Sequence, residues 1–481
     1  MYKDDRKQIW ITILLFVFIF AMRLPYLSNS PIETGESWRQ SDTESMARNF
    51  VVDYFHILYP QLNYDGSPPN IAQLEFQLTT YLIALLYQTF GFHYELARLV
   101  PTLFFIGSAY FLYLLAKKYF SVEVAWMAIL FYGLFPVNLF YSRAIMPESA
   151  ALFFFIASFY VFSEWIERER NWLIFVSAIL TALAISIKTP TIFVGLAMIL
   201  MAIVKYKEKI VTAWQLWLFA LVALVPPAIY FTWLDTVAEF TFVTGIGTKH
   251  ILPEFTTAIF SSEAGDFFRE HLPSSFTVFA LVLGVIGALT INWHHQYPIG
   301  FLLLAVLLEV TTIVAVIQFN YYLIFLGPVL ALVAAKALAV LLDFEYGHIG
   351  IALVLMVFAV SSYGHVNERF MVKEDILKQA EVIKQYTEAD DLIVIGTFSP
   401  DLLNASERKG WRANIDYYDH IPTGPEDELN YFIEHGARYF FPKRGYIYND
   451  GDLTYRNYLE DNFEKIEVQL EGEDYSFYQL E

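Results

Sequence analysis

The chain has 481 residues, 56% of them hydrophobic, no cysteine and a formal net charge of −19. Soluble globular proteins are about 45–50% apolar, so this composition points to a membrane protein. The missing cysteine excludes disulfides, zinc–thiolate sites and thiol nucleophiles, and the acidic balance argues against nucleic acid, which demands a basic face.

The apolar residues come in eleven runs near the roughly 20 residues needed to cross a bilayer. They lie at 9–26, 96–116, 122–141, 149–165, 172–187, 191–204, 214–233, 276–291, 299–316, 321–342 and 349–363. Lipid-facing segments must be helical, because nothing in hydrocarbon satisfies an open backbone. The first run is followed by Arg23-Leu24-Pro25-Tyr26 rather than a small-residue cleavage site, so it reads as a retained span. Residues 78–90 are apolar but short, and read as a surface or re-entrant helix in the first loop.

Lysine and arginine in short loops set the orientation. Lys3, Arg6 and Lys7 precede the first run, Lys117 and Lys118 follow the second, Arg168 and Arg170 the fourth, and Lys205, Lys207 and Lys209 the sixth. These loops belong on the cytoplasmic side. The loop 27–95, the turn 141–148, Lys188, the loop 234–273 and the turn 318–320 then belong outside, with the C-terminal tail.

The tail predicts a small soluble α/β domain, giving a boundary between 1–366 and 367–481. Residues 371–481 hold 24 acidic and 11 basic side chains, so most of the negative charge lies there. The spacing predicts a helix over 374–386, a buried strand over 392–396, and a helix, glycine stop and strand over 431–441. Asn404-Ala405-Ser406 matches a glycosylation sequon, a short pattern common by chance.

The polar residues of interest gather in the outer segments. The first loop carries Glu36-Ser37-Trp38-Arg39-Gln40-Ser41-Asp42-Thr43-Glu44, then Arg48, then Glu75 just before the surface helix. Arg143 and Glu148 flank the second outer turn, and Lys188 stands in Lys188-Thr189-Pro190. Ionisable groups at this depth are costly unless they pair or act. Plainer roles exist for each: Asp42 as a helix cap, Glu75 and Glu148 as first-turn acids favoured by the helix dipole, Lys188 as a snorkelling side chain. Carboxylates in a partly dehydrated crevice can serve as a general base. Arg39, Arg48, Arg143 and Lys188 could grip a charged head group. Glu75 and His250 could join at a divalent metal cation, since carboxylate and imidazole suit several such ions.

This order of motifs resembles the GT-C superfamily of polyprenyl-phosphate-dependent glycosyltransferases. Within it the chain is most similar to glycosyltransferase family 39 and its relatives, the protein O-mannosyltransferases and lipid A aminoarabinose transferases. Trp38-Arg39-Gln40-Ser41-Asp42-Thr43 with Ala47-Arg48-Asn49-Phe50, the Glu75 segment, Pro147-Glu148, Lys188-Thr189-Pro190 and Asn320-Tyr321-Tyr322 carry the resemblance, which covers residues 1 to about 365. Many relatives have adjacent Asp-Glu earlier in the first loop, where this chain has Arg39-Gln40. Asp42, Glu36 and Glu44 therefore stay open as the base, with Asp42 preferred and Glu148 as a further catalytic acid.

The resemblance implies a polytopic α-helical GT-C-like protein of about eleven spans. It would move a sugar, with inversion, from a polyprenyl-phosphate-linked donor to a hydroxyl of a glycan, lipid or protein acceptor. Arg39, Arg48, Arg143 and Lys188 would then neutralise the leaving lipid phosphate. The site would lie outside a bacterial cytoplasmic membrane. The rival is a transporter or lipid flippase, which should place charged or broken-helix features at mid-membrane in paired halves. A non-enzymatic scaffold presenting the acidic tail is the third reading.

Overall fold

The fold, known from a computed structural model, is described for residues 2–238, 240–241, 243–416 and 421–480. Each of the eleven apolar runs carries a helix. In chain order the first part contains α1 (Tyr2–Ala21), α2 (Ser37–Val52), α3 (Leu78–Phe90), α4 (Tyr94–Tyr119), α5 (Val122–Leu134) and α6 (Pro136–Tyr141). After these come α7 (Glu148–Arg168), α8 (Asn171–Ile187), α9 (Val194–Tyr206) and α10 (Trp214–Val237). Further apolar helices follow at Val278–Leu289, Tyr297–Glu309, Leu326–Leu338 and Gly347–Val366.

The chain is a multi-pass membrane protein. Among the described residues, seven helices are long and apolar enough to cross a bilayer, and eight if the bent pair Ser262–Phe276 and Val278–Leu289 counts as one. Two of the runs that fall short have local causes. The run at 122–141 breaks at Phe135 because Pro136 has no N–H to continue α5 and instead opens α6. The helix α1 begins with charged turns, Lys3 to Lys7. Position in the bundle follows composition: α7 is buried over most of its length, while Trp217, Leu221 and Ile229 of α10 face outward, as a lipid-facing helix requires.

Two opposite ends emerge from the contacts. At one, Lys118 pairs with Glu164 at 2.9 Å and Lys205 with Glu169 at 2.7 Å, which gathers the basic loops. At the other lie all the segments expected outside. Arg143 of the second turn reaches Glu33 of the first loop at 2.6 Å. Lys188 reaches Glu148 at 2.7 Å. The Tyr141 hydroxyl donates to Asn320 at 2.5 Å, and Gln73 bonds Asp235.

The first loop forms two helices, α2 and, over the short apolar run at 78–90, the expected α3. The helix α3 buries Thr79, Thr80, Ile83, Ala84 and Tyr87 against α2. Residues 72–73 (β1) pair in parallel with 240–241 (β2), tying this loop to the one after α10.

The C-terminal part contains a five-stranded sheet of β3 (Leu392–Ile395), β4 (Lys409–Arg412), β5 (Ala437–Phe441), β6 (Glu464–Leu470) and β7 (Glu473–Gln479), in the order β4-β3-β5-β7-β6. The three strands β4, β3 and β5 are parallel; β7 is antiparallel to β5 and β6. The expected helix at 374–386 and the strands at 392–395 and 437–441 are present, and Gly436 ends the helix before β5 at φ +95°. Alternation of side chains splits the core. Ile393 and Ile395 pack with Ile376 and Phe477, and with Ile32, Met46, Leu62 and Leu74 of the first loop. Val394 and Trp411 pack with Leu429, Phe432 and Leu459 on the other face.

One core is thus shared between the tail and the first loop. The edge of β4 is covered too, as an exposed edge strand would otherwise invite pairing. Gly410 N–H donates to Asn63 O and its carbonyl accepts from Asp65 N–H, both at 2.8 Å. Any side chain at Gly410 would strike the Ile393 carbonyl. Residues 32–35 run beside 369–373, with Thr34 N–H on Met371 O at 2.8 Å and Lys373 N–H on Ile32 O at 2.9 Å.

Candidate active site

The helix α2 is polar in sequence yet largely buried. Buried polar groups need partners, and the partners of α2 decide which of its residues are free for chemistry. Ser37 donates to Asp401 at 2.9 Å. Gln40 donates to Glu33 and accepts from Arg98 at 2.8 Å. Glu44 is held by Arg48 at 2.6 Å and Tyr87 at 3.0 Å.

Asp42, the preferred base, is engaged on both oxygens. It accepts from the Tyr64 hydroxyl at 3.0 Å and from the Asn404 amide at 2.9 Å, and is 3% exposed. Burial pushes its carboxyl up to about 6, while Arg39, Tyr64, Asn404 and Arg412 pull the other way. The Asn404 of the sequon is the same residue. Its amide is buried and committed to Ser41 and Asp42, which explains its place in the sequence without glycosylation.

Glu36 differs. It stands just before α2 and is only half-buried. Burial, and then the negative charge of Glu148, push its carboxyl up to about 7, with Arg39 and Lys373 partly offsetting them. Glu148 opens α7 and is fully buried, its charge met by Lys188. The Lys188 ammonium lies over the rings of Tyr321 at 5.1 Å and Tyr322 at 4.9 Å, within cation–π range.

Arg39 joins these groups. It pairs with Glu75. Burial works against its charge, but Glu148, Tyr321, Asp42 and Tyr322 outweigh it and hold the guanidinium above its ordinary value. One electrostatic cluster therefore contains Glu36, Arg39, Glu75, Glu148 and Lys188, with Asp42 at its rim.

The other expected cations lie elsewhere. Arg143 and Arg98 clamp the fully buried Glu33, at 2.6 and 3.3 Å, and Arg143 stacks over Phe370. Arg48 pairs with Glu44 and Glu407 and lies over Phe92. Of the two residues expected to join at a metal cation, Glu75 has its carboxylate on Arg39, and His250 lies exposed in the helical turn 247–251. Among the described residues no group of three or more His, Asp or Glu is placed to hold a metal ion. Sequence reasoning missed Glu33, Arg98, Tyr64 and Lys373. Their partners are distant in the chain, and only the buried charge of Glu33 and Arg98 hinted at pairing.

The fold occurs in known structures. ArnT from Cupriavidus metallidurans bound to undecaprenyl phosphate superposes with a TM-score of 0.70, covering 98% of each chain at 12% identity. The chain has the GT-C fold. The archaeal oligosaccharyltransferase AglB from Archaeoglobus fulgidus, in complex with an inhibitory peptide and a dolichol-phosphate, matches with a TM-score of 0.61 at 13% identity, over 99% of this chain and 74% of that one. Residues 77–233 match the family described as dolichyl-phosphate-mannose-protein mannosyltransferase. No curated protein sequence matches the chain. The resemblance read in the outer-loop motifs holds at the level of the fold.

Proposed function

We propose that this GT-C protein is a membrane glycosyltransferase that moves a sugar from a polyprenyl-phosphate donor to an acceptor hydroxyl. The observation that carries the reading is the clustering of Arg39 and Lys188 with Glu36, Glu75 and Glu148, of which Glu75 and Lys188 stand one or two residues along the chain from the walls of an apolar groove. That groove, about 560 Å³, lies between α8 and α10 and is lined by Phe76, Leu183, Tyr230 and Trp233. Its walls lead to the charges: Phe76 follows Glu75, and its N–H donates to Ser186 O, two residues before Lys188, at 2.8 Å. An apolar chain in the groove would bring its phosphate to the two cations. The lipids bound in the ArnT and AglB structures support this reading.

In this scheme Glu36, not Asp42, takes the proton from the acceptor hydroxyl. A partly exposed carboxylate held near neutral pH suits a general base, whereas both oxygens of Asp42 are occupied. The acceptor oxygen attacks the anomeric carbon, the carbon–oxygen bond to phosphate breaks, and the charge left on the lipid phosphate is met by Arg39 and Lys188. Glu148 holds Lys188 in place. The cytoplasmic membrane, with the amino terminus inside and residues 367–481 outside as a soluble domain, is the placement we adopt. The acceptor is a glycan, lipid or protein of the cell envelope.

The test is to incubate the purified protein in lipid nanodiscs with a panel of polyprenyl-phosphate sugars and a membrane extract as acceptor. Release of polyprenyl phosphate with one donor, dependent on Arg39, is the expected result. Turnover of none of the donors would count against the reading.

A further inference from the structure

The tail contains a second cavity, which abuts the charged cluster. It measures about 320 Å³, at the low end of ligand pockets, which run to about 300–1,000 Å³. Its place in the sheet is informative. From β3 the chain passes to β4 on one side; from β4 it crosses to β5 on the other. The strand order therefore reverses at β3. In open α/β sheets, ligands bind outside the carboxyl ends of the strands at such a switch point. The cavity lies there, between the segment after β3, residues 397–402, and the segment after β5, residues 443–448.

The lining has a distinct chemistry. Phe398 and Tyr446 are 42% and 55% exposed at its mouth, and Tyr448 stacks on Phe398 with ring centroids 5.1 Å apart. Aromatic rings left to solvent in this way mark contact surfaces. The charges come as neutral pairs: Lys373 with Asp401 at 3.4 Å, and Lys443 with Asp375 at 3.5 Å. Such pairs offer donors and acceptors without net charge. That combination fits an uncharged polyhydroxyl ring with one apolar face, and suits neither a phosphate nor a lipid chain.

The cavity also abuts the cluster. Ser37, next to Glu36, donates to Asp401 and accepts from the Lys373 ammonium at 2.5 Å. Trp38 packs edge-on against Phe398 at 5.2 Å. Both residues that follow Glu36 thus touch the cavity wall.

We infer that this cavity is a binding subsite for a neutral sugar of the acceptor, which it holds beside Glu36. The link to transfer rests on the glycosyltransferase reading; the binding of sugar does not. The experiment is saturation-transfer difference NMR on the full chain in nanodiscs, with maltotriose, mannotriose and N-acetylchitotriose as probes and neutral tripeptides as comparison. At least one trisaccharide receives saturation. Tyr446→Ala and Phe398→Ala each weaken its binding about tenfold, while Tyr386→Ala, an exposed ring elsewhere on the tail packed on Phe477, does not. Because Tyr446 is so exposed, its variant folds even where Phe398→Ala disturbs Trp38. No saturation of any trisaccharide, saturation of the peptides alone, or equal binding by Tyr446→Ala overturns the inference. The readout is binding, so it stands or falls separately from donor turnover.

Discussion

The side-chain amide of Asn404 donates a 2.9 Å hydrogen bond to the carboxylate of Asp42, 362 residues earlier. This contact joins the tail to the first loop in a place where the sequence alone offers a base. It makes Asp42 a fastening between the two. Asn404→Ala leaves one oxygen of a buried carboxylate without its donor, and such a loss costs about 1–3 kcal/mol. Thermal unfolding of the protein in nanodiscs should show a lower midpoint, with the donor-binding groups Arg39 and Lys188 untouched.

The pH dependence of turnover follows from Glu36. A base must be deprotonated, so kcat/KM should rise with pH and level off above about 7, where burial and Glu148 have moved this carboxyl. Removing the Glu148 charge removes one of the two effects that raise Glu36. The residual activity of Glu148→Gln should therefore show its rising limb at lower pH. A pH–rate series on wild type and variant checks the sign.

Lys188 and Glu148 form a pair sealed from water. Breaking such a pair by removing one partner leaves an uncompensated buried charge and costs about 3–5 kcal/mol. Lys188→Met alone should lower stability strongly. Adding Glu148→Gln should restore most of it, because the orphaned charge is gone, yet donor turnover should stay lost. A double-mutant cycle in unfolding and in turnover separates the two roles.

The sequence made some of this legible and hid the rest. Periodicity found the apolar helices, and lysines such as Lys118 and Lys205 marked loops that gather at one end, because charge beside an apolar run is a local property. Glu36, Arg39, Glu75, Glu148 and Lys188 were readable as charges of the opposite end for the same reason. Which of them is occupied was not, since pairing depends on distant residues: Tyr64 and Asn404 for Asp42, Glu33 for Arg143. In the tail, β3 and β5 announced themselves as apolar runs. The four-residue β4 and the solvent-facing β6, with Glu464, Lys465 and Glu467, gave no such signal. The sharing of one core by Ile32, Leu62 and Ile393 could be seen only in three dimensions.

The central claim is that Glu36, rather than Asp42, is the proton acceptor. The direct measurement is single-turnover transfer of labelled sugar from polyprenyl phosphate by Glu36→Gln and Asp42→Asn, each compared with wild type at equal folded concentration. Glu36→Gln should slow transfer about 10²–10⁴-fold, the usual worth of general-base help, while folded Asp42→Asn should keep near-normal turnover. Near-normal turnover in Glu36→Gln with a comparable loss in Asp42→Asn would contradict the account.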